Sequence, residues 1–295
     1  MKPDLSVKIG KIRLKNPVMN AAGTFELDSY ESLIDLKKLG AHIPKSVIWK
    51  PRSGNPQPRS FEVPAGLINS IGLQSVGAVN SVKERLPVIS RIADKFDIPL
   101  ILNIAGDSIK DFLATAVLLE EKARIVGLEI NISCPNVANG LIFGTDPQLT
   151  FKLVSALRKS VSLPLWIKLT PNVTDIGQIA RAAVDGGADA LSLINTVKAR
   201  AYIERGPSAK KWIVGGLSGQ AIHSIALQKV AEVLAVVKVP VIGIGGIYNT
   251  EDALDFFRLG VKAVQVGTAN FLNPAVIAEI ADGLKQKLKE VKNER

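Results

Sequence analysis

Residues 239–268 read VPVIGIGGIYNTEDALDFFRLGVKAVQVGT. The segment opens on an apolar run, 239–244, and turns at the pair Gly245-Gly246. Helical periodicity follows over 250–259, with Thr250 ahead of Glu251 and Asp252 as at a helix start and Gly260 as its stop. A second apolar run, 261–266, ends in Gly267-Thr268. This is one strand–loop–helix–strand unit. Continuous apolar strands joined by helices predict a parallel sheet covered on both faces.

The pattern repeats toward the N-terminus. Further runs at 17–22, 43–48, 98–104, 126–132, 163–169 and 188–194 bring the strands to eight. Helical segments are expected at 29–39, 79–96, 108–122, 147–159, 175–185, 220–237 and, last, 274–289. Eight such units are the arithmetic of an α/β fold of the (β/α)₈ type, a TIM barrel, here as one domain over residues 1–295. A doubly wound sheet is the alternative, and it more often carries fewer strands. Residues 5–9 and 11–14 alternate around Gly10 as an N-terminal hairpin, expected to plug the barrel bottom. Long βα loops are expected at 49–78, 133–146 and 195–219, and loops of that length usually carry function.

Composition narrows the possibilities. The 295 residues include 37 Lys and Arg against 27 Asp and Glu, a net charge of +10, with one Cys and two His. A lone Cys makes no internal disulfide and holds no iron–sulfur cluster, which takes about four Cys ligands. A structural zinc site is nearly excluded as well, so no metal is expected. The basic residues are spread along the chain and aromatics are 5%, so no nucleic-acid partner is expected. The surplus charge instead favours anionic small molecules or an acidic protein partner. The start, MKPDLSVKIG, lacks a signal-peptide run, and the longest uncharged stretch, 63–82, contains Pro64 and three glycines. A cytoplasmic protein with no membrane span is expected.

Barrel active sites lie at the C-terminal strand ends. Those ends carry Asn20, Ala22 and Gly23, then Lys45 and Ser46, Asn103, Asn131, Lys168, Asn195, Gly245 and Gly246, and Gly267 and Thr268. Cys134, just past the fourth run, reads two ways: as a thiolate base or nucleophile, or as a small buried hydrophobe. His42 and His223 read as structural, and no carboxylate stands at a strand end. Lys45 and Lys168 at a barrel mouth suggest an anionic ligand or an electron-rich cofactor, since an unpaired ammonium there is costly. The glycine loops after the last two strands suit a phosphate, and Gly215-Gly216-Leu217-Ser218-Gly219 adds a third close-approach backbone. Asparagines at 20, 69, 103, 131, 136 and 195 can read a flat ring through donors and acceptors.

Several motifs together carry a family resemblance. They include Asn20-Ala21-Ala22-Gly23-Thr24-Phe25, Pro64-Ala65-Gly66-Leu67-Ile68-Asn69-Ser70-Ile71-Gly72-Leu73-Gln74, and Asn131-Ile132-Ser133-Cys134-Pro135-Asn136-Val137. Others are Lys168-Leu169-Thr170-Pro171-Asn172 and Val266-Gly267-Thr268-Ala269-Asn270-Phe271. The chain resembles the class 1 dihydroorotate dehydrogenases over nearly its whole length, and most closely the catalytic subunits of their B subgroup.

The resemblance implies an FMN-dependent oxidoreductase of pyrimidine biosynthesis that turns dihydroorotate into orotate. Cys134 would remove the C5 proton while hydride passes from C6 to flavin N5, with Lys45 as the second catalytic residue and Ser133 as an alternative hydroxyl beside the base. Orotate would be held by Lys45, Asn69, Gly72, Leu73, Asn131, Asn136, Asn195 and Thr196. FMN would be held by Ala22, Gly23, Lys45, Ser46, Asn103, Asn131, Lys168, Ile194, Gly219, Gly245, Gly246, Gly267 and Thr268. The resemblance further implies a homodimer core of a heterotetramer, with a smaller subunit carrying FAD and an iron–sulfur cluster that passes electrons to NAD. Another pyrimidine-oxidising FMN barrel and a redox-inactive phosphate-binding barrel are the competing readings.

Overall fold

The computed structural model describes residues 4–133, 142–203 and 211–293. The chain opens on the expected hairpin, β1 (Val7–Ile9) and β2 (Ile12–Leu14), paired antiparallel. It continues through β3 (Val18–Asn20), β4 (Ser60–Val63), β5 (Gly66–Asn69), β6 (Ile101–Ile104), β7 (Gly127–Asn131), β8 (Leu165–Lys168) and β9 (Ala190–Leu193). Then come β10 (Val197–Ile203), β11 (Lys211–Ser218), β12 (Val241–Ile244) and β13 (Ala263–Val266). Seven of these form one parallel sheet in the order β3-β13-β12-β9-β8-β7-β6. With helices between its strands, this curled sheet is a (β/α)₈ barrel.

The eighth place differs from expectation. Residues 43–48 do not form a continuous strand, because Pro44 has no N–H to give a ladder. The segment is pinned to β6 at two points instead. Ile101 N donates to His42 O at 3.1 Å, and Val47 N donates to Asn103 O at 2.9 Å. On the other flank the Asn20 side chain makes the connection, donating to Ile43 O at 2.7 Å and accepting Ile43 N at 3.0 Å. A side chain thus completes the closure beyond the one backbone bond on that flank, from Gly40 N to Val18 O at 2.8 Å.

Two helices also depart from expectation. The helix expected over 29–39 is a turn at Leu27–Tyr30 and a 3₁₀ turn at Leu36–Lys38, the latter capped by Asp35 accepting Lys37 N. The segment 220–237 is a 3₁₀ turn, Gln220–Ile222, running into the helix His223–Leu234. Helix Thr250–Leu259 is capped by Asn249 rather than by Thr250, and Gly260 ends it at φ +110°.

Strand alternation sorts the residues. Outward side chains such as Leu102, Leu128, Ile167, Leu191 and Val264 join the buried layer under the helices. Inward ones build a second cluster, in which Ile9, Ile12 and Leu14 of the hairpin meet Met19, Ile101, Trp166, Ala190, Ile242 and Ala263. The hairpin therefore plugs the barrel bottom, close enough that a Cβ on Gly127 would lie 2.7 Å from Ile12 Cδ1. One inward step higher, the lumen turns polar: Asn103, Glu129, Lys168, Ser192 and Gln265 are all buried there.

Two of the loops expected to be long carry strands. Parts of 49–78 and 195–219 pair into an antiparallel sheet, β10-β11-β5-β4. Gly216 stands opposite Asn69 in that sheet, and a Cβ on it would come within 2.0 Å of Thr196 Oγ1. Gly215 and Gly216 thus serve close strand approach rather than loop freedom. This sheet roofs the barrel mouth.

Candidate active site

Between the barrel mouth and that roof lies a cavity of about 320 Å³. Its volume falls in the ordinary range for small-molecule sites. Strand ends supply Ala22, Gly23, Asn131, Lys168, Ile194, Asn195, Thr196, Gly245, Gly246, Gly267 and Thr268. The pinned segment supplies Lys45 and Ser46, and the roof supplies Asn69, Gly72, Leu73 and Gly219. These residues come from positions as far apart as 22 and 268, and the barrel brings them to one wall.

Five residues are not part of the described wall. Cys134 and Asn136 lie outside the described residues. Asn103 is fully buried beneath the wall, where Ser46 Oγ donates to its Oδ1 at 2.5 Å. Asn20 is spent on Ile43 and reads no ligand. Ser133 is buried too, its hydroxyl donating to Asn131 Oδ1 at 2.9 Å and accepting Asn195 Nδ2 at 2.8 Å. It is not presented to the cavity, which weakens it as an alternative base.

The wall divides by chemistry. On one side Gly245 and Gly246 lie beside Gly219, which leads into the helical segment starting at Gln220. Gly246 holds φ +65°, and a Cβ there would meet His223 N at 3.0 Å. Only a glycine gives this backbone both its conformation and its clearance, and a glycine backbone is one an anion can approach closely. His223 supports the loop from behind, its Nδ1 3.1 Å from Gly245 O.

On the other side stand the cations. Lys45 is half-buried and has no ion pair among the described residues. Burial, and then the charges of Arg59 and Arg85, hold its ammonium below the usual lysine range. An ammonium has three donors, so Lys45 and Lys168 both keep N–H groups for an electron-rich ligand. Ile194, Ile222, Ile244 and Ile247 supply apolar surface, while Asn131 and Asn195 form a linked amide pair.

The described wall contains no carboxylate and no histidine. Proton transfer at this site therefore calls on another kind of group. The glycine cradle and the N–H groups that the two lysines keep fit a phosphate-bearing, electron-accepting ring such as a flavin mononucleotide.

Several wall residues were not anticipated: Thr24, Arg59, Gln74, Tyr248 and Phe271. Burial pushes the Tyr248 hydroxyl above its usual range. Glu129 beneath the wall was also missed, although a charged residue inside an apolar strand, two positions before Asn131, is a legible signal.

Comparison with known proteins identifies the family. A family model described as dihydroorotate dehydrogenase matches residues 4–288. The chain is 46% identical over 292 residues to a protein of Geotalea uraniireducens (strain Rf4) named dihydroorotate dehydrogenase B (NAD(+)), catalytic subunit, covering 98% of this chain and 94% of that one. A protein of the same name from Thermoanaerobacter sp. (strain X514) is 45% identical over 286 residues, covering 96% and 93%. In fold, the structure resembles the Eimeria tenella dihydroorotate dehydrogenase crystallised with ferulenol, with a TM-score of 0.80 at 24% identity, over 98% of this chain and 86% of that one. The match over nearly the whole chain assigns it: the protein belongs to the dihydroorotate dehydrogenase family of flavin-dependent oxidoreductases.

Proposed function

We propose that the chain oxidises dihydroorotate to orotate with bound FMN, in pyrimidine biosynthesis, as the catalytic subunit of an NAD-linked enzyme. The observation that carries this reading is the pairing of a glycine cradle with two incompletely paired lysines in one cavity.

Gly245, Gly246, Gly267 and Thr268 would hold the FMN phosphate, and Lys168 would face the ring. FMN, when bound, supplies the two-electron acceptor for the hydride leaving C6 of the substrate. The chain's own residues do the rest. Lys45 would bind the substrate carboxylate, and the low dielectric of the half-buried site would strengthen their attraction. Asn69, Asn131, Asn195 and, outside the described residues, Asn136 would orient the ring by its amide edges. Cys134, also outside them, would take the C5 proton as the C5–C6 double bond forms. That proton is weakly acidic, so a thiolate suits it better than a carboxylate. Without a carboxylate or histidine in the described wall, no competing base of those kinds is at hand.

The printed names of the relatives specify NAD(+) and a catalytic subunit, which supports a second chain for electron transfer. That partner would carry FAD and an iron–sulfur cluster, which one cysteine cannot ligate here. A homodimer at the centre of a heterotetramer and a cytoplasmic location complete the reading. Among the described residues no helix is long and apolar enough to cross a membrane.

The test is spectroscopic. Purified protein should be yellow, and its flavin should bleach anaerobically with dihydroorotate and not with dihydrouracil. A protein that stays colourless after incubation with FMN would overturn the reading, as would a bound flavin indifferent to dihydroorotate.

A further inference from the structure

Beneath the cavity floor, Glu129 gathers contacts from four other barrel strands. Its Oε2 accepts Asn103 Nδ2 of β6 at 2.6 Å. Its Oε1 accepts Ser192 Oγ of β9 at 2.8 Å and Gln265 Nε2 of β13 at 2.7 Å. Lys168 Nζ of β8 stands 3.5 Å from Oε2. Glu129 itself is fully buried. Every neighbour offers a donor, which is the setting of an acceptor-only carboxylate.

The distances rank the partners. The three neutral bonds are short, while the ion-pair contact exceeds the ~2.7–2.9 Å of a charge-assisted hydrogen bond. A buried carboxylate that relied on the ammonium alone would pull it close. Here the neutral donors already satisfy the carboxylate, so Lys168 stands within reach of its charge and is not consumed by hydrogen bonding. Its remaining N–H groups belong to the cavity, whose wall it lines.

We propose that Glu129 acts through Lys168, its buried charge setting how strongly the site favours reduced over oxidised FMN. The inference rests on the FMN reading above. Reduction by hydride adds negative charge to the ring. The Lys168 ammonium favours that charge, and the Glu129 carboxylate behind it tempers the effect. Ser192 and Gln265 in turn temper Glu129, because each bond they donate draws the carboxylate's charge away from Lys168. The network therefore makes a prediction of opposite sign at its two ends.

Glu129→Gln keeps shape and removes the negative charge. It should raise the preference for reduced FMN about tenfold, a shift of about +30 mV for a two-electron couple. Ser192→Ala leaves the carboxylate with one donor fewer and turns it more fully on Lys168. It should lower that preference about threefold, or about 15 mV in the negative direction. The experiment is a reductive titration of FMN-loaded protein against an indicator dye, with no dihydroorotate present. Thermal unfolding is recorded alongside.

Opposite shifts support the proposal. Unmoved potentials with a lowered melting temperature assign Glu129 a purely structural role and overturn it. If Glu129→Gln does not fold, Ser192→Ala decides by the sign of its shift, and a zero or positive shift overturns the proposal. A wild-type chain that takes up no FMN overturns the functional reading and this inference together. A chain that binds FMN with unmoved potentials removes only the inference.

Discussion

The side-chain amide of Asn20 stands in for a strand, donating to Ile43 O at 2.7 Å and accepting Ile43 N at 3.0 Å. Both residues are fully buried. Asn20→Leu would leave two backbone groups of Ile43 unpaired in the barrel wall, at about 1–3 kcal/mol each. A loss of about 2–6 kcal/mol is expected in urea unfolding. A loss below about 1 kcal/mol would mean that the closure does not depend on this amide.

The same Asn20 oxygen lies 3.0 Å from His42 Nδ1, so that nitrogen carries the hydrogen. His42 Nε2 is buried without a partner, and protonating it would strand a charge. Burial first, and then nearby Arg85, push His42 from 6.5 down to about 3. Between these values the unfolded chain binds a proton that the folded chain refuses, so stability falls as pH drops below about 6.5. This residue alone should cost about 2 kcal/mol of stability between pH 7 and pH 5. His42→Gln, which can still donate to Asn20, should flatten that part of the acid slope. An identical slope in the variant would place the acid sensitivity elsewhere.

Gly246 tests the cradle. A Cβ there would lie 2.7 Å from His223 Cβ in a backbone at φ +65°. Gly246→Ala should therefore displace the loop and weaken FMN binding at least about tenfold, roughly 1.4 kcal/mol, as read by fluorescence titration. Gly260→Ala is the control, since it also has positive φ but nothing within 4 Å. It should cost stability of about 1 kcal/mol and leave FMN affinity intact. Equal FMN loss in both variants would argue against a local cradle.

The pH profile tests Cys134 and Lys45 together. Flavin reduction by dihydroorotate should rise toward alkaline pH, through the ordinary thiol range near about 8.5. Binding that depends on the Lys45 charge should fade at a pH below the usual lysine value, because burial and then Arg59 and Arg85 lower that group. The profile should be a bell whose alkaline limb disappears from substrate affinity in Lys45→Met. Cys134→Ala should cut the reduction rate by at least about a hundredfold, in line with the loss of a general base, with FMN still bound. An unchanged rate would remove Cys134 from that role.

Much of this was legible along the chain. The glycines at 245, 246 and 267, the lysines at 45 and 168 and the asparagines at 131 and 195 all reach one cavity, as their strand-end positions implied. Other features leave little local trace. The roof sheet pairs Gly216 with Asn69 across the chain, and local periodicity carries no trace of so distant a partner. Glu129 lies within an apolar run, and only its shared strand face with Asn131 marks it.

The amino-acid sequence by itself determined the repeat. Apolar runs, helical periods and glycine stops are local properties, and eight of them in order leave few folds open. It also determined which residue types stand at the strand ends. The tertiary structure alone decided what those residues do. Asn20 and Asn195 are chemically identical, yet Asn20 faces a gap left by Pro44 and closes the barrel, while Asn195 lines the cavity. Residue identity sets what a side chain can donate or accept. Only packing sets which partner is within reach, and a buried amide must take the partner it meets.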